Sequence, residues 1–203
     1  PNARLDVQWP EVNKDDIVMM GSYFVLNPVL RPKVKEFLDY ANSREALIYY
    51  DINFRSSHSS EAIKLYATIL ENFEYASIVR GSGEDFDNMF GLTDPDAVYN
   101  HKVGFYCPRF ICTNGGDEIC LRTRTISKNY AVPQLETVST IGAGDNFNAG
   151  VIYGILKNDI RRSDLDKLSE ADWDKIIASG IAFGGNVCTS LDNYISKEFA
   201  ASL

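Results

Sequence analysis

Ser139-Thr140-Ile141-Gly142-Ala143-Gly144-Asp145-Asn146-Phe147 sets two glycines around one small residue directly before an acid, and apolar or small residues then recur at Phe147, Val151, Gly154 and Ile155. That three- and four-residue spacing predicts a loop turning straight into a helix with one face packed inward. Asp145 falls in the first turn, where the free backbone N–H groups of Gly142 to Asp145 and the positive end of the helix dipole favour an anion such as phosphate. A carboxylate beside a phosphate is unfavourable unless a metal offsets the repulsion or the acid takes a proton from an attacking hydroxyl. Phosphoryl transfer is the chemistry this pairing suggests. Phe147 excludes the usual dinucleotide fingerprint, because it occupies the third small position of Gly-x-Gly-x-x-Gly/Ala and its ring would hold helix and sheet apart. No Gly-x-x-x-x-Gly-Lys-Ser/Thr run occurs anywhere in the chain, which removes the P-loop enzymes. A Gly-x-Gly turn can also be a plain close-packed strand-to-helix connection, so support must come from other segments.

Four segments bear on this. Ile48-Tyr49-Tyr50-Asp51-Ile52-Asn53-Phe54-Arg55 is a strand pattern ending in alternating polar residues, and ligands of open α/β sheets collect at the carboxyl ends of strands. Arg55 offers a planar, bidentate donor for a phosphate or carboxylate; a surface ion pair is the alternative. Tyr75 to Arg80 forms another strand pattern, followed by Gly81-Ser82-Gly83-Glu84-Asp85-Phe86 and a helix to Phe90, where Ser82 also fits an ordinary N-cap with acids in the first turn. Phe110 to Thr113 leads through Asn114-Gly115-Gly116-Asp117-Glu118 to an outgoing strand, Ile119 to Arg122, as in a hairpin. Ser169-Glu170-Ala171-Asp172 has capping-box spacing and opens a helix thinned by Gly180, Ala182, Gly184 and Gly185, which suits close packing.

The 139–147 segment closely resembles the second signature of the ribokinase-like (PfkB) carbohydrate kinases, Asp-Thr/Ser-x-Gly-Ala-Gly-Asp-x-Phe. The resemblance implies that Asp145 is the catalytic base and that the amides of Gly142, Ala143 and Gly144 form the anion hole for the transferring phosphoryl group. It implies ATP and Mg²⁺ as cofactors. Ser139 stands where the family usually has the Asp that helps bind a monovalent cation in several members, so that activation does not carry over. Asp51, Asn53 and Arg55 resemble the substrate- and phosphate-approaching Asp-x-Asn-x-Arg segment of fructokinase-like and 2-keto-3-deoxygluconate kinase-like members. Ser82 and Asp85 stand at the two ends of the family's Asn-x-x-Glu motif, which implies nucleotide binding for Ser82 and indirect magnesium organisation for Asp85. Thr113 and Gly115 match the nucleotide-side Thr-x-Gly-x-x-Gly loop, with Glu118 replacing its last Gly. The implied activity is ATP-dependent phosphorylation of a hydroxyl on a sugar or sugar acid. A nucleoside or hydroxymethylpyrimidine kinase is the alternative within related folds, and a degenerate, non-catalytic nucleotide- or sugar-binding member is the alternative outside catalysis.

The elements that must position these residues alternate. Strand patterns at Ile17 to Met20, Leu47 to Asp51, Tyr75 to Arg80 and Phe110 to Thr113 are interleaved with helical stretches at Pro32 to Asn42 and from Ser59 or Ser60 to Asn72. This order predicts an α/β fold, a largely parallel sheet with helices on both faces, and 203 residues at 45% hydrophobic content suit one domain. The net charge of −8 argues against a nucleic-acid surface. No apolar run is long enough to span a bilayer, and a cytoplasmic protein is expected. Cys107, Cys112, Cys120 and Cys188 lack metal-ligand spacing and are expected as reduced, packed thiols. With only His58 and His101 there is little material for a zinc site or a Ser-His-Asp triad; His58 either lines the site beside Arg55 or lies on a surface loop. Against the family pattern, residues 1–203 are expected to be a single incomplete kinase domain, without the earlier strands, the Gly-Gly signature and the β lid that carries most sugar contacts. The exposed sheet edge and apolar face this leaves would promote association, and a homodimer is one expected state.

Overall fold

The computed structural model describes residues 8–203, which divide into two compact units, one reaching Ala131 and the other running from Val132 to Leu203. The first unit is built on a six-stranded sheet whose spatial order follows the chain: β1 (Ile17–Gly21), β2 (Leu47–Asp51), β3 (Ile78–Ser82), β4 (Phe110–Asn114), β5 (Glu118–Arg122) and β6 (Ser127–Ala131). β1 to β4 are parallel, and β5 and β6 return antiparallel. Helices α1 (Arg31–Ser43) and α2 (Ala62–Tyr75) make the first two crossovers; α3 (Gly83–Phe90) and the short α4 (Pro95–Val98) lie in the third.

Spacing explains the packing. Val34, Leu38 and Ala41 on α1 and Leu65, Ile69 and Phe73 on α2 fall three or four residues apart, forming one apolar stripe per helix. They join Ile48 and Tyr50 of β2, Val79 of β3 and Phe110 and Cys112 of β4 in a single buried cluster. Residues 47 to 51 are buried without alternation, as expected of a parallel strand in the middle of a sheet. Cys107, Cys112, Cys120 and Cys188 are free thiols, and burial pushes Cys112 up to about 12 and Cys120 up to about 11. They behave as packing groups rather than reactive ones.

Three boundaries differ from the sequence expectation. The strand expected from Tyr75 begins at Ile78, because α2 continues through Tyr75, whose hydroxyl donates to Asp39 and accepts from Lys35 on α1. The helix expected from Ser59 or Ser60 starts as a single 3-10 segment, Ser56–Glu61, and becomes α-helical at Ala62. β6 was not expected: Ser-Lys-Asn-Tyr-Ala has no apolar run, and its alternating exposure with a Lys is typical of a protected edge strand.

The second unit contains α5 (Ala143–Lys157), α6 (Glu170–Cys188) and α7 (Lys197–Ala201). The capping box expected at Ser169 is present, Ser169 Oγ accepting from Asp172 N and Asp172 Oδ2 accepting from Ser169 N. The small residues let α5 and α6 meet at backbone distance. A Cβ on Gly150 would lie 2.4 Å from Ser179 O, and one on Gly180 would lie 2.7 Å from the Phe147 ring. Gly150→Ala therefore sets a helix-propensity gain of up to about 1 kcal/mol against overpacking of about 1–3 kcal/mol, and the obstructing atom is a carbonyl that cannot rotate away. Urea unfolding should show a net loss of stability; a more stable variant would mean that the two helices can separate freely.

Candidate functional site

In the second unit the 139–147 loop becomes α5 at a residue only glycine fills easily. Gly142 is the N-cap with φ 80°, in the left-handed region, and a Cβ there would press on Asn193 at 3.0 Å. Ala143 N donates to Thr140 O at 3.2 Å, and the first helical bond runs from Asn146 N to Gly142 O at 2.9 Å. The amides of Gly144 and Asp145 therefore have no intrahelical acceptor and are the ones open to an anion. Of the three amides expected to form the anion hole at 142–144, that of Ala143 is already used within the loop. Asn146 Nδ2 donates to both Gly142 O and Asn193 O at 2.9 Å, strapping the loop to the 190s segment, a role the sequence did not signal. Asp145 is exposed in the first turn. Among the described residues its carboxylate has no hydrogen bond or ion pair.

In the first unit the expected residues gather at the carboxyl ends of β2, β3 and β4. Asp51 and Arg80 are direct neighbours in the β2–β3 register, and Arg80 donates to Asp51 Oδ1 at 2.9 Å and to Thr113 Oγ1 at 2.7 Å. All three side chains are buried. Burial works against the Arg80 charge, but Asp51, Tyr49 and Asp85 together outweigh it and hold the guanidinium pKa above its ordinary value. Asp51 and Thr113 are therefore brought together by a residue that sequence reading passed over. Each accepts a hydrogen bond from Arg80.

Beyond Asp51 the chain bends at Asn53, which has φ 43°; Phe54 is buried and Arg55 exposed. Among the described residues the Arg55 side chain has no hydrogen-bond or ion-pair partner. Ser82 and Asp85 form a capping box at the start of α3: Ser82 N and Ser82 Oγ each donate to Asp85 Oδ2 at 2.7 Å, and Phe54 N donates to Asp85 Oδ1 at 2.6 Å. Both Asp85 oxygens thus have protein donors, which does not fit direct ligation of magnesium, and no group of three or more His, Cys, Asp or Glu among the described residues is arranged to hold a metal. Gly115 sits at φ 58° in the three-residue turn joining β4 to β5, with Asp117 N donating to Asn114 O, the geometry of a hairpin. His58, half-buried, stacks on Tyr23 with ring centroids 3.9 Å apart, and its Nδ1 lies 3.2 Å from Glu61 Oε1. The His58 and Tyr23 hydrogen bonds hold the Glu61 carboxyl below its ordinary value. No helix among the described residues is long and apolar enough to cross a membrane.

Comparison with known proteins places these features. Residues 2–198 match the profile of the pfkB family carbohydrate kinases. A 5-dehydro-2-deoxygluconokinase of Bacillus thuringiensis is 24% identical over 168 residues, 76% of this chain and 50% of the relative, so the chain spans about half the length of that protein. Among solved structures, aminoimidazole riboside kinase from Salmonella enterica, in complex with aminoimidazole riboside and an ATP analogue, superposes with a TM-score of 0.78 at 19% identity, covering 95% of this chain and 64% of that one. Fructokinase from Vibrio cholerae, bound to fructose, ADP and calcium, superposes with a TM-score of 0.79 at 18% identity, covering 95% and 62%. At such identities the two structures share the fold of this chain.

The Arg80 network gives a direct test. Arg80→Met leaves Asp51 buried without its main counter-charge and should cost about 3–5 kcal/mol in urea unfolding. Adding Asp51→Leu should restore most of that loss. If the single variant is as stable as the parent, the charge pair does not organise the strand ends.

Proposed function

Since this chain belongs to the pfkB family of carbohydrate kinases, we propose that it carries the catalytic part of an enzyme transferring the γ-phosphoryl group of ATP to a hydroxyl of a sugar or sugar acid. The acceptor oxygen attacks the γ-phosphorus, the bond to the bridging oxygen breaks and ADP leaves. The acceptor proton passes to the Asp145 carboxylate. The amides of Gly144 and Asp145 stabilise charge on the transferring group at the helix N-terminus, and the exposed guanidinium of Arg55 binds the acceptor or its new phosphate. One observation carries this reading: within the kinase signature, Asp145 is exposed, without an ion pair among the described residues, and next to two amides that have no intrahelical acceptor.

Magnesium, when present, neutralises phosphate charge on the nucleotide; because Asp85 is committed to protein donors, no step is assigned through the metal. The name of the Bacillus thuringiensis relative supports a sugar acid as acceptor, and Arg55 suits a carboxylate as well as a phosphate. A cytoplasmic location fits this reading, with its supply of ATP and a reducing environment for four free thiols.

In the complete protein, Asp145→Asn should leave ATP binding nearly intact and reduce acceptor-dependent ADP release by about a hundredfold or more. Undiminished turnover refutes the assignment. The assay should use hexoses, keto sugar acids and nucleosides as acceptors: turnover of nucleosides alone would move the assignment to a nucleoside kinase, and nucleotide binding without release on any acceptor would indicate a binding protein.

A further inference from the structure

Arg55 follows a residue whose main chain is gripped at both ends by one helix. Phe54 N donates to Asp85 Oδ1 at 2.6 Å, and Asn88 Nδ2 donates to Phe54 O at 3.2 Å. Asp85 and Asn88 are three apart on α3, so they project from neighbouring turns of one face. Only the amide nitrogen of Asn88 can donate to a carbonyl, which fixes the orientation of its side chain. Asn53, one residue earlier, sits at φ 43°, a conformation that costs energy outside glycine and persists where the surroundings impose it. Phe54 supplies part of that surrounding with a ring only 1% exposed, and His58 N closes the other side by donating to Arg55 O at 2.9 Å.

We infer that Asp85 and Asn88 form a two-point clamp on the Phe54 backbone that positions Arg55 for the phosphoryl acceptor. This rests on the reading of Arg55 as an acceptor contact proposed above. Neither residue touches the acceptor in this account; both are positioning residues. The clamp substitutes for rigidity that an exposed side chain after a bent, non-glycine residue would otherwise lack, and a small displacement of a substrate-holding group is costly in rate.

Asn88 is the better probe, because it is only half-buried and its loss leaves the α3 cap intact. In the complete protein with ATP and the best acceptor from the panel, Asn88→Ala should raise the acceptor KM about three- to tenfold, the worth of one hydrogen bond, with the ATP KM unchanged. Arg55→Ala should raise the acceptor KM about ten- to a hundredfold. In the double variant the Asn88 effect should disappear, since the side chain it positions is gone. Asn88→Asp, which keeps the shape and removes the donor, replaces the alanine variant if that protein does not fold. An unchanged acceptor KM in Arg55→Ala overturns the reading of Arg55 and the clamp with it. A large Arg55→Ala effect, together with an Asn88 defect that persists undiminished in the double variant or falls on ATP instead, overturns the clamp alone. So does an Asn88 variant with parental kinetics.

Discussion

A guanidinium buried between three parallel strands is the constraint on which the first unit depends. Arg80 leaves β3 level with Asp51 of β2 and reaches Thr113 of β4, so its ion pair with β2 and its hydrogen bond to β4 both depend on the strands standing in this register. Shifting a strand by one residue turns its whole side-chain set to the other face, which would strand either Arg80 or Asp51 in a low-dielectric interior. Such a pair adds little net stability compared with well-packed apolar residues, but the cost of breaking it is high. Its effect is to align the ends of β2, β3 and β4, from which the 52–55 segment, α3 and the 115–117 turn depart. In an open α/β sheet these are the ends at which ligands bind.

The second unit solves a different problem, that of holding an acid in water at the start of a buried helix. Phe147, Val151, Gly154 and Ile155 are buried on α5, and Asp145, two residues before Phe147, lies about 200° around the helix from it. The same periodicity that sends the ring inward turns the carboxylate outward. Contact between α5 and α6 at Gly150 and Gly180 keeps that face fixed, while the left-handed Gly142 and the Asn146 strap set where the loop delivers the helix. The amides left without an intrahelical acceptor follow from this geometry, because the first helical bond forms at Asn146.

What could be seen in the sequence was local. The β2 run, the Gly-Ala-Gly-Asp helix start and the Ser169 capping box each depend on residues within a few positions of one another, and each is present. The thin α6 was legible for the same reason, since small residues at helical spacing let another helix come close. Arg80 was not, because its partners are 29 and 33 residues away and only the strand register brings them together. Asp85 was legible as a cap, but its second oxygen goes to Phe54, 31 residues distant. β6 was missed because an edge strand needs no apolar periodicity when half of it faces solvent.

The commitments of the charged groups separate those that build the fold from those free to act. Asp51 and Asp85 both sit at strand ends in motifs that resemble kinase sites, yet each spends its carboxylate on a protein donor. Arg80 likewise spends its guanidinium within the sheet. Asp145 and Arg55 are exposed and have no side-chain partner among the described residues. A general base must be able to accept a proton when the substrate arrives, and a substrate-binding arginine must have its fork of donors open; a residue already paired would have to break that pairing first, at a cost in both affinity and rate. Proximity to a motif therefore ranks these residues less well than their unused hydrogen-bonding capacity does. By that criterion Asp145 and Arg55 are the charged groups whose polar atoms stay open, and the buried pairs account for how the strand ends beneath Arg55 hold their shape.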